Sequence, residues 1–179
     1  MKRIFAIFLS FAMLFCFASC GKESEIYSEN IYNNRVSTLS NADKISDLLT
    51  ALEFYNNTAY GTFQISGDDT VIFEIKESLP KAFGIEEKMR KYSSLLISMV
   101  RDLNEVKWSY LEAGQTVNGS IDRKGADELL GSDTEELYSD YDSLLATLVK
   151  LDITNKKGVK KAVDNKVSLT VSSGSESKK

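Results

Sequence analysis

Two periods of hydrophobic and polar residues run along this chain, and they predict its elements in order. Between residues 40 and 53, Ile45, Leu48, Leu49 and Leu52 recur at three- and four-residue steps, the spacing of one helix face. Ser40 or Asn41 can cap that helix, Asp43 sits in its first turn where negative charge suits the dipole, and Asn56-Asn57 ends it. Residues 59–66 and 70–76 switch to a period of two. Phe63 and Ile65 alternate with Thr62, Gln64 and Ser66, and Val71, Phe73 and Ile75 alternate with Glu74 and Lys76. Ser66-Gly67-Asp68-Asp69 has turn composition, so the two runs predict a hairpin. After Pro80 the helical period returns. Ile85, Met89, Tyr92, Leu95, Leu96, Met99, Val100 and Leu103 form a long stripe, with Glu86, Glu87, Lys88, Arg90 and Lys91 on the other side.

A second hairpin is predicted next. Val106, Trp108 and Tyr110 alternate with Lys107 and Ser109, Gly114 marks the turn, and Val117 and Ile121 alternate with Thr116, Asn118 and Ser120. Asp122 can cap a short helix that closes at Gly131. Asp133 and Glu136 have capping-box spacing for a last helix, whose stripe is Leu137, Tyr141, Leu144, Leu145 and Leu148. The expected fold class is α+β: a two-layer sandwich with a four-stranded antiparallel sheet from two hairpins and helices packed on one face. Alternation puts Phe63, Ile65, Val71, Phe73, Ile75, Val106, Trp108, Tyr110, Val117 and Ile121 on the packed side. The opposite side carries Thr62, Gln64, Glu74, Lys76, Lys107, Ser109, Thr116, Asn118 and Ser120, with Ile72 as its apolar exception.

The N-terminus follows another logic. Met1-Lys2-Arg3 is a positive start, and an apolar run broken only by Ser10 follows from Ile4 to Ala18. That run is shorter than the about 20 residues a membrane span needs and fits a secretory signal. It closes in Phe17-Ala18-Ser19-Cys20, which resembles the bacterial lipobox, although Leu is commoner where Phe17 stands. The resemblance implies cleavage before Cys20 and lipid on its thiol, with at least two acyl chains; an ordinary signal with a chance cysteine is the other reading. One acyl chain anchors only marginally, and two anchor stably. The expected organisation is a signal over 1–19, a lipidated tether over 20–31, an α+β domain over 32–153 and a Lys/Ser-rich tail over 154–179. The tail reads as mostly disordered, although Val167, Leu169 and Val171 alternate with Ser168 and Thr170 in a stretch that could pair as a strand.

Composition narrows the chemistry. The chain has no His and two Cys; Cys16 falls in the signal and Cys20 is consumed by lipid. The mature chain then offers no His general base, Ser-His-Asp triad, Cys nucleophile, disulfide, or His or Cys zinc site. No cofactor is implied. Residues 20–153 carry a net charge of −11 and residues 154–179 a net of +5. The acidic domain argues against nucleic acid, while the tail could touch anionic membrane or wall polymers, or simply be a solvated end. Asp68-Asp69 and Asp140/Asp142 are the acid pairs open to catalysis, but turn and solvated-helix roles account for them. Asp133, Glu135, Glu136, Asp140 and Asp142 lack the pattern of a calcium loop.

Three stretches carry a resemblance. Ile31-Tyr32-Asn33-Asn34-Arg35-Val36, leading to Ile45 and Leu49, is similar to an opening aromatic motif; Leu96 to Trp108 and Asp122 to Asp133 are similar to two further motifs in the same order. They resemble a family of domains of unknown function found in exported lipoproteins of Gram-positive bacteria, with related domains attached to sensor peptidases of the beta-lactam-response type. The resemblance spans about residues 30 to 150 and implies a fold and an address, not a reaction. Two functional readings follow. One is a non-catalytic binding or envelope-sensing module, anchored to the extracytoplasmic face of the membrane through Cys20. Its candidate binding residues are Gln64, Glu74, Lys76, Lys107, Ser109 and Asn118 on the open sheet face, toward an envelope protein partner. The other is a hydrolase of envelope material using carboxylates or Ser/Lys.

Overall fold

The computed structural model describes residues 27–75 and 84–153. The signal segment, Cys20, Lys76, Pro80 and the tail from Thr154 lie outside the described residues.

A helix over residues 27–33 (α1) opens the described chain, and its Ser28 and Ile31 are fully buried. The folded body therefore includes residues 27–31, which the polar composition had assigned to the tether. The reason is an aromatic and hydroxyl contact surface rather than an apolar stripe: the Tyr27 hydroxyl donates to the Leu52 carbonyl at 3.2 Å, and Ser28 and Tyr141 hydroxyls meet at 2.8 Å. α2 (Ala42–Ala51) follows, capped by the Asn41 side chain on the Lys44 N–H, and buries Ile45, Leu48 and Leu49. Asn56-Asn57 does not terminate it. Those residues lie inside a second short helix, α3 (Phe54–Thr58), flanked by Glu53 and Ala59 with φ of 50° and 55°.

β1 (Thr62–Ser66) and β2 (Thr70–Glu74) form the first expected hairpin, turning at Gly67 with φ 64°. α4 (Ile85–Met99) then leads to β3 (Glu105–Glu112), and β4 (Gln115–Asp122) completes the second hairpin. Ala113 and Gly114 both have positive φ, 51° and 79°, the combination of a type I′ turn. The strand order is β1-β2-β3-β4. The sheet is not purely antiparallel as expected: β2 and β3 pair in parallel, Val71 opposite Val106 and Phe73 opposite Trp108. The cause is the length of α4. Its 15 residues span about 22 Å, enough to return the chain to the end of the sheet where β2 began. Parallel neighbours need such a crossover, whereas a tight turn can only give antiparallel ones.

α5 (Arg123–Leu130) starts under the expected Asp122 cap, whose carboxylate accepts from the Gly125 N–H at 2.7 Å, and ends at Gly131 with φ 68°. The last expected helix is two: α6 (Thr134–Ser139) and α7 (Tyr141–Lys150). Asp140 separates them with extended backbone, and its carboxylate caps α7 on the Ser143 N–H. The capping box expected of Asp133 and Glu136 is not formed. Asp133 accepts from the Glu135 N–H, while the Glu136 carboxylate accepts from the Ser143 hydroxyl across the break.

Burial divides the sheet as the alternation predicts. Phe63, Val71, Phe73, Val106, Trp108, Tyr110 and Ile121 are buried, and Ile65 and Val117 are half-buried at the margins. α4 lies against β3 and β4, and α5 against β4. α4 is the axis of the core. Residues 93 to 99 are all buried, so its C-terminal half has no solvent-facing side and the one-sided stripe describes only its first turns.

Candidate functional site

The two hairpins and the parallel joint set out the unburied sheet face in two rungs. One rung runs Gln64, Ile72, Lys107, Ser120 across β1, β2, β3 and β4; the next runs Thr62, Glu74, Ser109, Asn118. Neighbouring strands lie about 4.8 Å apart and rungs on one face about 6.8 Å apart. The candidates Gln64, Glu74, Lys107, Ser109 and Asn118 thus fall within two adjacent rungs; Lys76 lies outside the described residues. Antiparallel pairing throughout would have shifted these neighbours, so the parallel joint is what sets Ile72 beside Lys107 and Glu74 beside Ser109.

A shallow open depression sits on this face, with half-buried Ile72 in its floor and Lys107, Ser109, Asn118 and Ser120 around it. Lys107 pairs with Glu105 at 2.9 Å, both partly exposed, an arrangement that contributes little to stability. Leu111 is 41 % exposed on the same face, a second apolar position beside Ile72 that sequence analysis had not singled out. The opposite face supports the depression. The Trp108 indole is buried, donates to the Glu86 carboxylate at 2.9 Å, and lies directly over Gly119. Hydroxyl, amide and ammonium groups around a small apolar floor can hydrogen-bond a polar partner and shelter one apolar group, and the Lys107 ammonium itself lies against the Glu105 carboxylate.

One acid of each pair has a structural partner. The Asp69 carboxylate accepts from the Thr70 hydroxyl at 3.0 Å and from the Asn104 side-chain amide at 3.4 Å, and its backbone carbonyl accepts from the Asn104 and Glu105 N–H groups, joining the first hairpin turn to the start of β3. Asp140 caps α7, and the hydroxyl and N–H of Ser143 hold its carboxyl below the ordinary aspartate range. No cluster of three or more Asp, Glu, His or Cys able to hold a metal ion occurs among the described residues.

Two clusters escaped the sequence. In one, Tyr138 lies between two guanidiniums, Arg101 at 4.5 Å and Arg35 at 5.7 Å from its ring centroid, while Arg35 also sits 3.8 Å over Tyr32. Arg101 pairs with Glu135 at 3.2 Å and Tyr32 donates to the Ser139 carbonyl, so the cluster ties α1 to α6. In the other, the Arg123 guanidinium donates to the Thr134 hydroxyl and to the carbonyls of Val100, Arg101 and Leu103. It closes the turn between α4 and β3. The only sequence signal for either was the grouping of Tyr32 with Arg35 and of Arg123 with Gly131 and Asp133 in the motifs described above.

Burial acts on the tyrosines. Tyr60 and Tyr92 are pushed up to about 12 by desolvation, Tyr27 is raised further for the same reason with Tyr92 and Glu53 adding to it, and Tyr110 is raised. Burial also raises the Glu53 carboxyl at the left-handed residue before α3. No helix among the described residues is long and apolar enough to cross a membrane. Compared with protein-family models, curated proteins and solved structures, the chain matches none.

Proposed function

We propose that this chain is an extracytoplasmic lipoprotein, held to the membrane through lipid on Cys20, and that its folded domain is a non-catalytic module binding an envelope partner. The observation that carries the binding reading is the open sheet face. Five candidate residues share two rungs around Ile72, and no described segment covers them. In this reading the helices gather on the opposite face as the second layer of a sandwich, which leaves the open face rigid and solvated. The address rests on the positive start, the short apolar run and Phe17-Ala18-Ser19-Cys20. The resemblance to exported lipoprotein domains of unknown function is part of the same proposal and adds no reaction to it.

The address is tested by Cys20→Ser and cell fractionation. The wild type should partition with membranes and carry acyl mass on its N-terminal peptide, and the variant should do neither. Equal membrane retention without lipid on the wild type would end the lipoprotein reading. The binding face is tested by Lys107→Glu combined with Gln64→Ala, both exposed. Thermal stability should stay within about 0.5 kcal/mol of wild type, as for surface changes. Capture of the envelope partner by crosslinking should fall; unchanged capture would move binding off this face.

A further inference from the structure

Backbone pairing brings Arg35 and Arg101 together from distant parts of the chain. Val36 and Val100 form an isolated parallel bridge, closed by the Val36 N–H on the Met99 carbonyl at 2.8 Å and the Arg101 N–H on the Val36 carbonyl at 3.0 Å. Each arginine stands one residue from that bridge, and both guanidiniums reach the same Tyr138 ring. Arg123 braces the same turn through the Val100 and Arg101 carbonyls, so three of the four arginines among the described residues meet here. The described residues hold 21 acidic and 10 basic side chains, which makes this joint a local reversal of charge. Among them, Glu135 is the only carboxylate within 4.0 Å of either guanidinium; it lies 3.2 Å from Arg101 in a pair 51 % and 56 % exposed, too solvated to hold firmly.

We propose that Arg35, Arg101 and Tyr138 form a binding site for a phosphate group, independent of the open sheet face. The rings hold the guanidiniums by their flat faces, 3.8 Å from Arg35 to the Tyr32 centroid and 4.5 Å from Arg101 to the Tyr138 centroid, and stacking uses no N–H. A guanidinium has five N–H donors. Arg35 uses one nitrogen on the Tyr32 carbonyl at 2.6 Å, and Arg101 turns one toward Glu135. The Tyr138 hydroxyl makes no hydrogen bond among the described residues. Joining α1 to α6 and α7 does not require these donors, because the Tyr32 hydroxyl on the Ser139 carbonyl at 2.7 Å and the Tyr32–Tyr141 edge contact at 5.5 Å already do so. Two guanidinium forks and a hydroxyl suit phosphate, whose charged oxygens point in tetrahedral directions and can accept from both forks at once; one fork satisfies a planar carboxylate. Free phosphate and a phospholipid headgroup present the same chemistry.

The test is nuclear magnetic resonance of the arginine Nε–H groups on residues 20–179 carrying Cys20→Ser, titrated with inorganic phosphate or with water-soluble short-chain phosphatidylglycerol at matched ionic strength. The Arg35 and Arg101 signals should shift saturably. A shift with inorganic phosphate assigns the site to free phosphate, a shift with the lipid alone to a headgroup, and a shift with both to the phosphate group from either source. Arg35→Gln and Arg101→Gln should each weaken binding at least about 10-fold, since each removes hydrogen bonds to a charged group. Arg35→Lys keeps the charge, loses the fork and should weaken it too. Arg90→Gln, the same loss of charge at an exposed position of α4, should leave it unchanged. No saturable shift with either probe in the unsubstituted site, the same shift with acetate, or equal weakening by Arg90→Gln would overturn the proposal.

Discussion

At the scale of single residues, two positions on and beneath the sheet are decided by contact. A Cβ on Gly119 would stand 2.4 Å from the Trp108 indole, closer than any real contact, because the ring lies flat across the strand. Gly119→Ala must therefore displace a buried tryptophan, and we expect a loss of about 1–3 kcal/mol in chemical denaturation, the range for overpacking. Trp108→Ala should cost about 3–5 kcal/mol as the core opens; a near-neutral result would place the ring outside it. Ser93 offers the opposite case. Its hydroxyl is the one buried side-chain polar atom without a hydrogen-bond partner among the described residues, whereas its neighbours Ser94 and Ser98 donate to carbonyls of their own helix. Removing an unpaired buried hydroxyl relieves a desolvation cost, so Ser93→Ala should raise stability by about 1 kcal/mol. A loss of comparable size would show that the hydroxyl has a partner.

At the scale of elements, the hydrophobic periods located both hairpins, α2, α4 and the packed side of the sheet, because burial of alternating or every-third-or-fourth residues is local information. What was not legible came from contacts distant in sequence. The parallel joint between β2 and β3 follows from α4 being as long as the sheet is deep, a property of the assembly rather than of any strand. The break between α6 and α7 was hidden because Leu137, Tyr141, Leu144 and Leu148 keep helical spacing across it, while Asp140 prefers to cap. The first five residues of α1 carry no helical stripe in the sequence because Ile31 is their only aliphatic buried residue, the rest of the contact coming from the Tyr27 and Ser28 hydroxyls and the Tyr27 ring. The candidate rungs were half legible: alternation named the face, but only the parallel register could say which residues adjoin. Arg123 was silent in the periods and yet closes the α4–β3 turn that creates that register. Arg123→Lys loses the planar fork and should cost about 2–3 kcal/mol, with Lys124→Arg next to it near neutral. If Arg123→Lys is equally silent, the turn is held by something else.

At the scale of the whole molecule, the core is aromatic as well as aliphatic, with Phe54, Tyr60 and Phe73 in mutual ring contact and Tyr92 against Phe54. This has a pH signature. Burial disfavours the phenolate, so Tyr60 and Tyr92 titrate near 12 when folded against 10.0 when exposed. Unfolding then releases protons in that window, so this contribution to stability is complete below pH 10 and is lost as pH rises toward 12. Of the eight tyrosines, fewer should show phenolate absorbance at about pH 11 in the native chain than in urea; identical titrations would contradict their burial. In the proposed reading, the acidic body, the basic tail and the N-terminal segment ending at Cys20 belong to a module displayed outside a membrane, with the open sheet face as its binding surface. That claim is tested most directly by photocrosslinking in intact cells from a probe at Ser109, in the centre of the face, against a probe at Lys124 on α5. A discrete envelope adduct from Ser109 and none from Lys124 is the predicted result, and no adduct from Ser109, or the same adduct from both, would contradict it.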